Sequence, residues 1–193
     1  MIELQSILIL PPIEYSIASD PVDYFKAYQL RFQVFTEEQG DTRYANFDNQ
    51  TYTDIYDQGD QAILLVAKDG KRVIATQRLI HRKYGPYLGD HLLQYEILAN
   101  LFSLPKNEIL EKLFIRTRSV VDANYRGQGV FSNLVRSGEQ IARSQGGICI
   151  IGVVDQKKTE VRQINRSLGY KPYGICDSFS GLEGELIYRD IQL

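Results

Sequence analysis

Two sets of residues have types and spacings that could do chemistry. The first is Arg126-Gly127-Gln128-Gly129-Val130-Phe131, which follows a strand-like run and opens a helix-like one. Two glycines let a backbone turn tightly and approach a ligand closely. A helix starting at Val130 would then aim its free N–H groups and positive dipole end at that ligand, and Arg126 adds a fixed fork of donors. This is a cradle for a phosphate or pyrophosphate. A P-loop would need Gly-Lys-Ser/Thr, which is absent, and a dinucleotide fingerprint would need a third glycine where Ser132 stands. Taken alone, the loop is also compatible with a tight turn that holds nothing.

The second set is charged. At about 100° per residue, Tyr24, Phe25, Ala27, Tyr28, Phe32, Val34 and Phe35 gather on one broad arc of a helix near 21–39. Arg31 falls in the middle of that arc, and burying it unpaired would cost several kcal/mol, roughly. The polar run from Gly40 to Asp60, the longest expected loop, carries aspartates that could pair with it. A loop anchor with no further role and a substrate-positioning network are equally consistent with this pattern.

These residues need elements to hold them. The 193 residues fit one domain with an insertion near 84–112, where two short helical patterns flank Pro105. "QAILLVAKDGKRVIATQRLI" reads as two strands joined at Asp69-Gly70. "LFIRTRSVV" reads as a strand with Leu113, Ile115, Thr117, Ser119 and Val121 on one face and Phe114, Arg116, Arg118 and Val120 on the other. An amphipathic helix follows from Val130 to Ser144, its inner arc Val130, Phe131, Leu134, Val135, Gly138, Ile141 and Ala142, stopped by Gly146-Gly147. A buried strand, a short helix ending in "SLG" and a closing hairpin complete a mixed α/β order.

Composition excludes other classes. A net charge of −2 with no basic, aromatic-interleaved stripe argues against nucleic acid. No run is long enough to span a membrane, and "SILIL" before Pro11-Pro12 reads as a strand or packed extension. The two cysteines, Cys149 and Cys176, lie in apolar runs and read as reduced core thiols of a cytoplasmic protein. With two histidines and no ligand spacing, no metal is expected.

The run "SVVDANYRGQGVFSNLV", the buried strand after it and "INRSLGY" together resemble the GNAT superfamily of N-acyltransferases over roughly residues 24–175. That resemblance implies a mostly antiparallel sheet whose central parallel strands splay apart, flanked by helices. It implies that Arg126, Gly127, Gln128, Gly129, Val130 and Phe131 hold the pyrophosphate of coenzyme A. Ser119, Val120 and Val121 would pair with the pantetheine arm and supply an oxyanion N–H. The donor would be acetyl-CoA or a longer acyl-CoA, and the acceptor a small-molecule primary amine. Where the family carries a tyrosine acid four residues before the glycine, Asn165 stands.

Upstream, "LRFQVFTEEQG", "DIYD" and "TQRLI" resemble the acyl-homoserine-lactone and long-chain N-acyl amino acid synthases. This resemblance places Arg31, Asp54, Asp57, Arg78 and Arg118 in an acceptor-site network. The branch's glutamate three residues before the strand arginine is Ile115 here, and its tryptophan is missing, so only the broad group carries over. A donor borne on an acyl carrier protein and a non-catalytic acyl-CoA sensor are the alternative readings.

Glu96, Glu108 and Glu111 precede the arginine strand, and Glu111, the nearest, is a candidate base acting through water. His81 and His91 are expected in surface or loop roles. Glu37 and Glu38 end the first helix and want a local partner such as Arg43. Lys157, Lys158, Arg162, Arg166, Arg136 and Arg143 make a basic face, either solvated or meeting a 3′-phosphate or a carrier protein. Oligomeric state is left open.

Overall fold

The computed structural model describes residues 12–59, 61–84, 93–177 and 183–192. The expected strand over "SILIL" and the histidine at 91 lie outside them, as do residues 85–92 of the 84–112 segment. Among the described residues, no helix is long and apolar enough to cross a membrane.

Strand β1 (Glu14–Ile17) leads to Asp20, whose carboxylate accepts from the N–H groups of Val22 and Asp23 and caps helix α1 (Pro21–Arg31). Pro21, with its fixed φ and no donor to waste, suits the first turn. The helix predicted near 21–39 is present, but its last turns, Phe32–Glu38, are a π-helix. Wide turns of this kind in natural helices mark functional sites more often than ordinary ones. The expected loop is not structureless: β2 (Ala45–Asn46) and β3 (Thr51–Tyr52) pair, and a 3₁₀ turn covers Ile55–Asp57.

Strands β4 (Ala62–Asp69) and β5 (Arg72–His81) form the predicted hairpin. Gly70 takes the first central turn position with φ +55°, where a side chain would be strained. Helices α2 (Tyr95–Phe102) and α3 (Lys106–Glu111) flank Pro105. Then come β6 (Leu113–Val121), α4 (Val130–Ser144), β7 (Cys149–Asp155), α5 (Thr159–Ser167) and the closing hairpin of β8 (Lys171–Asp177) and β9 (Glu183–Asp190).

The sheet runs β1-β4-β5-β6-β7-β9-β8. Among the described residues, only β6 and β7 pair in parallel, over Leu113 with Cys149, Phe114 with Ile150 and Ile115 with Ile151. Beyond Ile151, β7 stays with β9, and β6 stays with β5 as far as Val121. The two strands therefore fork after Ile115 and Ile151. Helix α4 packs on one face through Val130, Leu134, Val135 and Ala142, while α1 covers the other through Ala27 and Leu30. Helix α2 and α3 residues Leu98 and Ile109 close a second cluster with Ile115 and Ile151. Both cysteines are buried thiols, and burial pushes Cys149 far above its ordinary range.

The inner arc of α4 differs from expectation at three places. Phe131 and Ile141 are only partly buried, while Glu139 is buried. On β6 the strict alternation fails. The register with β5 slips between Thr76 and Arg78, and Arg118 sits at φ +53°. This bulge adds one residue, so every side chain after it changes face. Phe114 lies under α4, yet Arg118 and Val120 face α1 and the loop over it. Arg116 and Arg118, expected on one face, point to opposite ones.

Candidate active site

Three arginines and two aspartates meet where α1, the long loop, β5 and β6 converge. Arg31 is fully buried, and its Nη1 donates to Asp57 Oδ1 at 2.8 Å. Arg78, also buried, donates from Nη1 to Asp54 Oδ1 at 2.5 Å and lies 2.9 Å from Asp57 Oδ2. Its Nε donates to Thr117 Oγ1 at 3.0 Å. Arg118 donates from Nη2 to Asp54 Oδ2 at 2.8 Å. The loop orients both carboxylates before any arginine does. Asp54 caps the 3₁₀ turn by accepting from Tyr56 N–H, and Asp57 reaches back to the Asp54 N–H at 3.0 Å.

The electrostatics follow from that packing. Burial alone would raise the Asp54 carboxyl, but Arg78 and Arg118 hold it well below the usual range. Burial lowers the Arg31 guanidinium, against the pull of Asp57. Burial, with help from Asp57, pushes the nearby Tyr28 hydroxyl up to about 12. Three cations face two anions, so the cluster keeps a positive surplus. It emerges through Arg118, whose guanidinium lies within 5.8, 4.8 and 5.0 Å of the rings of Phe35, Tyr44 and Tyr52. Holding a non-glycine residue at φ +53° costs about 1–3 kcal/mol, and such strain gathers at functional sites.

Arg118 also lines a cleft of about 730 Å³ that runs along the fork. Its walls are Arg116 to Val121 on one side, Gly152 to Asp155 on the other, and the glycine loop with the start of α4 at one end. Gly127 and Gly129 have φ of +74° and +79°, and no side chain caps α4 at Gly129. Both glycines are needed for backbone conformation, since a Cβ at either would meet nothing within 4 Å. Arg126 donates from Nε to Val121 O at 3.0 Å and from Nη2 to Glu38 Oε2 at 2.6 Å. The Gln128 amide turns back onto the Asn124 carbonyl. Lys158 reaches Gln39 at 2.9 Å, so the end of the π-helix spans the cleft mouth.

At the apex of the fork sits a group to which sequence reasoning gave no role. Arg116 is nine-tenths buried, donates to Asn165 Oδ1, and stacks 4.3 Å over the Tyr170 ring. Asn165 Nδ2 donates to Val161 O at 2.8 Å. The available signal was an arginine at a strand position otherwise given to core.

Several candidates lie elsewhere. Glu111 ends α3, exposed and away from the cleft, and its carbonyl accepts from His81 Nε2 at 3.1 Å. Glu96 pairs with Lys106 and Glu108 with Lys112. His81 is buried rather than on the surface, stacked on Phe114 at 4.1 Å, and burial lowers its pKa. Arg43 pairs with Asp41, so the partner of Glu38 is Arg126 instead. Arg162 and Arg166 both meet Glu185, which takes them out of a free basic face. Among the described residues there is no cluster of metal-ligating side chains.

Comparison with known proteins adds three findings. Residues 30–136 match the model of the acetyltransferase (GNAT) domain. No curated protein matches the sequence. Among solved structures, a CoA-dependent acyl-homoserine lactone synthase, BjaI, holding SAM and isopentyl-CoA, aligns with TM-score 0.72 at 17% identity, covering 94% of this chain and 84% of its own. TofI, in a ternary complex with an inhibitor and MTA, aligns with TM-score 0.67 at 16% identity over 94% and 92%. An aminoglycoside 6′-N-acetyltransferase complexed with coenzyme A aligns with TM-score 0.61 at 15% identity over 93% and 98%.

Proposed function

Because the chain belongs to the GNAT acetyltransferase family, we propose that it moves an acyl group from a coenzyme A thioester to the primary amine of a small molecule. The observation that carries this reading is the fork after Ile115 and Ile151, which opens onto a glycine loop at the uncapped start of α4. Pyrophosphate would lie against the first amides of α4, with Arg126 released from Glu38 to meet it. The pantetheine arm would run along the Ser119–Val121 backbone, whose outward amides have lost their parallel neighbour. One of them would receive the oxyanion. A thiolate is a far weaker base than an alkoxide and leaves without much help from an acid, so positioning supplies much of the rate.

The acceptor would enter from the Arg118 side. A positive surplus beside the fork suits an amine that carries its own carboxylate, such as an amino acid. Arg31, Asp54, Asp57 and Arg78 hold Arg118 in place rather than touching substrate. The whole chain would act as one acyltransferase domain with 84–112 as an insertion. The likeness to BjaI, a CoA-dependent synthase holding isopentyl-CoA, favours an acyl chain longer than acetyl.

Calorimetry with coenzyme A and thiol release from acyl-CoA donors of graded length, with amino acids as acceptors, test the proposal. Micromolar binding and acceptor-dependent release are expected. Binding without release with any amine would leave a sensor. Release from acyl carrier protein donors alone would move the donor to a carrier protein.

A further inference from the structure

We infer that Arg116, held by Asn165, is a catalytic residue that receives the departing sulfur of the thioester as a thiolate. This deepens the acyl-transfer reading and rests on it. Arg116 is the first residue of β6 beyond the last parallel pair, so it stands at the apex of the fork. Across from it is Gly152, where a Cβ would lie 3.6 Å from Arg116 O and 3.9 Å from Arg116 Nη2. The absence of a side chain there leaves room beside the guanidinium. The residue lines the cleft, yet it is only 7% exposed.

A cation so placed should have a counter-ion, because desolvating a charge costs several kcal/mol unless it is paired, roughly. None of the described carboxylates forms an ion pair with it. Its recorded partners are neutral: the Asn165 amide oxygen and the faces of Tyr170 and Phe131. Nη1 finds no hydrogen-bond partner among the described residues. Other charged and titratable groups surround this point from every packed element. Glu139 on α4 is itself raised by burial; it is drawn first to Arg189, at 3.7 Å, and less to Arg116, with which it forms no ion pair, while Tyr170 is pushed up to about 12 by burial and carries no charge. Arg118 has been turned to the opposite face by the bulge, and Asp155, Lys158 and Glu160 lie further along the cleft. The site is prepared for an anion that forms only during the reaction.

The reach fits. From Val121, whose carbonyl Arg126 holds, to Arg116 is five residues of strand, about 16 Å at ~3.3 Å each. An extended pantetheine arm bound at the glycine loop spans a comparable length. In the step itself, the amine nitrogen bonds to the acyl carbon and the carbon–sulfur bond breaks. The bonding pair passes to sulfur, and the amine proton leaves to solvent. Thiolate and guanidinium then form the ion pair that the resting protein lacks. Asn165 cannot donate a proton to sulfur at neutral pH. Its part is to fix the guanidinium, which makes it a positioning residue.

The experiment titrates the thiol of bound coenzyme A by its thiolate ultraviolet absorbance, after calorimetry has shown saturation. Burial alone would push the thiol above its value in free coenzyme A, whereas a cation pulls it down. We expect a midpoint at least about one pH unit below that of free coenzyme A in the same buffer, a tenfold or greater gain in thiolate at fixed pH, and return to the free value or above in Arg116→Met. A midpoint at or above the free value in the native protein overturns the inference and leaves acyl transfer standing. A low midpoint that survives Arg116→Met assigns the charge elsewhere and also overturns it. Failure of the protein to bind coenzyme A at all removes the coenzyme A donor from the acyl-transfer reading and overturns this inference with it. The native measurement decides even if the variant fails to fold.

Discussion

Asp57 and Asp54 carry different burdens in the charged cluster. Among the described residues, Asp57 is the only carboxylate that Arg31 meets, and both side chains are almost fully buried. Asp57→Ala therefore strands a buried cation, and we expect a loss of about 3–5 kcal/mol in urea denaturation. Asp54 governs the acid limb of stability. Its carboxyl is held below the unfolded value, so its contribution is complete above the ordinary carboxylate range and is lost as pH falls through its depressed folded value. Denaturation midpoints of the native protein should decline below about pH 4, and Asp54→Asn should flatten that decline while lowering the plateau. An unchanged slope would mean that other carboxylates set the acid limit.

At the scale of elements, the glycine loop and the end of the π-helix meet through the Arg126–Glu38 pair. Both side chains are partly exposed, so the pair is worth about 0–1 kcal/mol. Coenzyme A must displace Glu38 to claim Arg126. Glu38→Gln should tighten coenzyme A binding by up to about fivefold in calorimetry, with no change in fold. Weaker binding would mean that Glu38 orders the loop instead of competing for it. Gly129→Ala tests the loop conformation itself. A left-handed φ of +79° costs a residue with a Cβ about 1–2 kcal/mol, so both stability and cofactor affinity should fall.

Across the whole molecule, the sheet is continuous from β1 to β8 and yet open at its centre. The parallel contact between β6 and β7 lasts three residue pairs, and the halves beyond it are tied only to their outer neighbours. A ligand seated in the fork would act as the missing strand. Coenzyme A should slow hydrogen exchange at amides within Ser119–Val121 more than at β1 or β8. Uniform protection across the sheet would point instead to general stabilisation by mass action.

Local chemistry alone determined much of this protein. The Asp69-Gly70 turn, the α4 span from Val130 to Ser144, the closing hairpin and the glycine loop are written in turn residues and in periods of two and 3.6. The pairing of Arg31 with a loop carboxylate was also legible, because a cation on an apolar arc has few other ways to be buried. Tertiary structure decided the rest. A bulge is one extra residue without a distinctive composition, so only pairing with β5 could show that Arg118 leaves the face of Arg116. The position of Glu111 outside the cleft, the burial of His81 and the claim of Glu38 on Arg126 depend on contacts between segments far apart in the chain. So does the unpaired cation at the fork, which exists only because two strands part beside it.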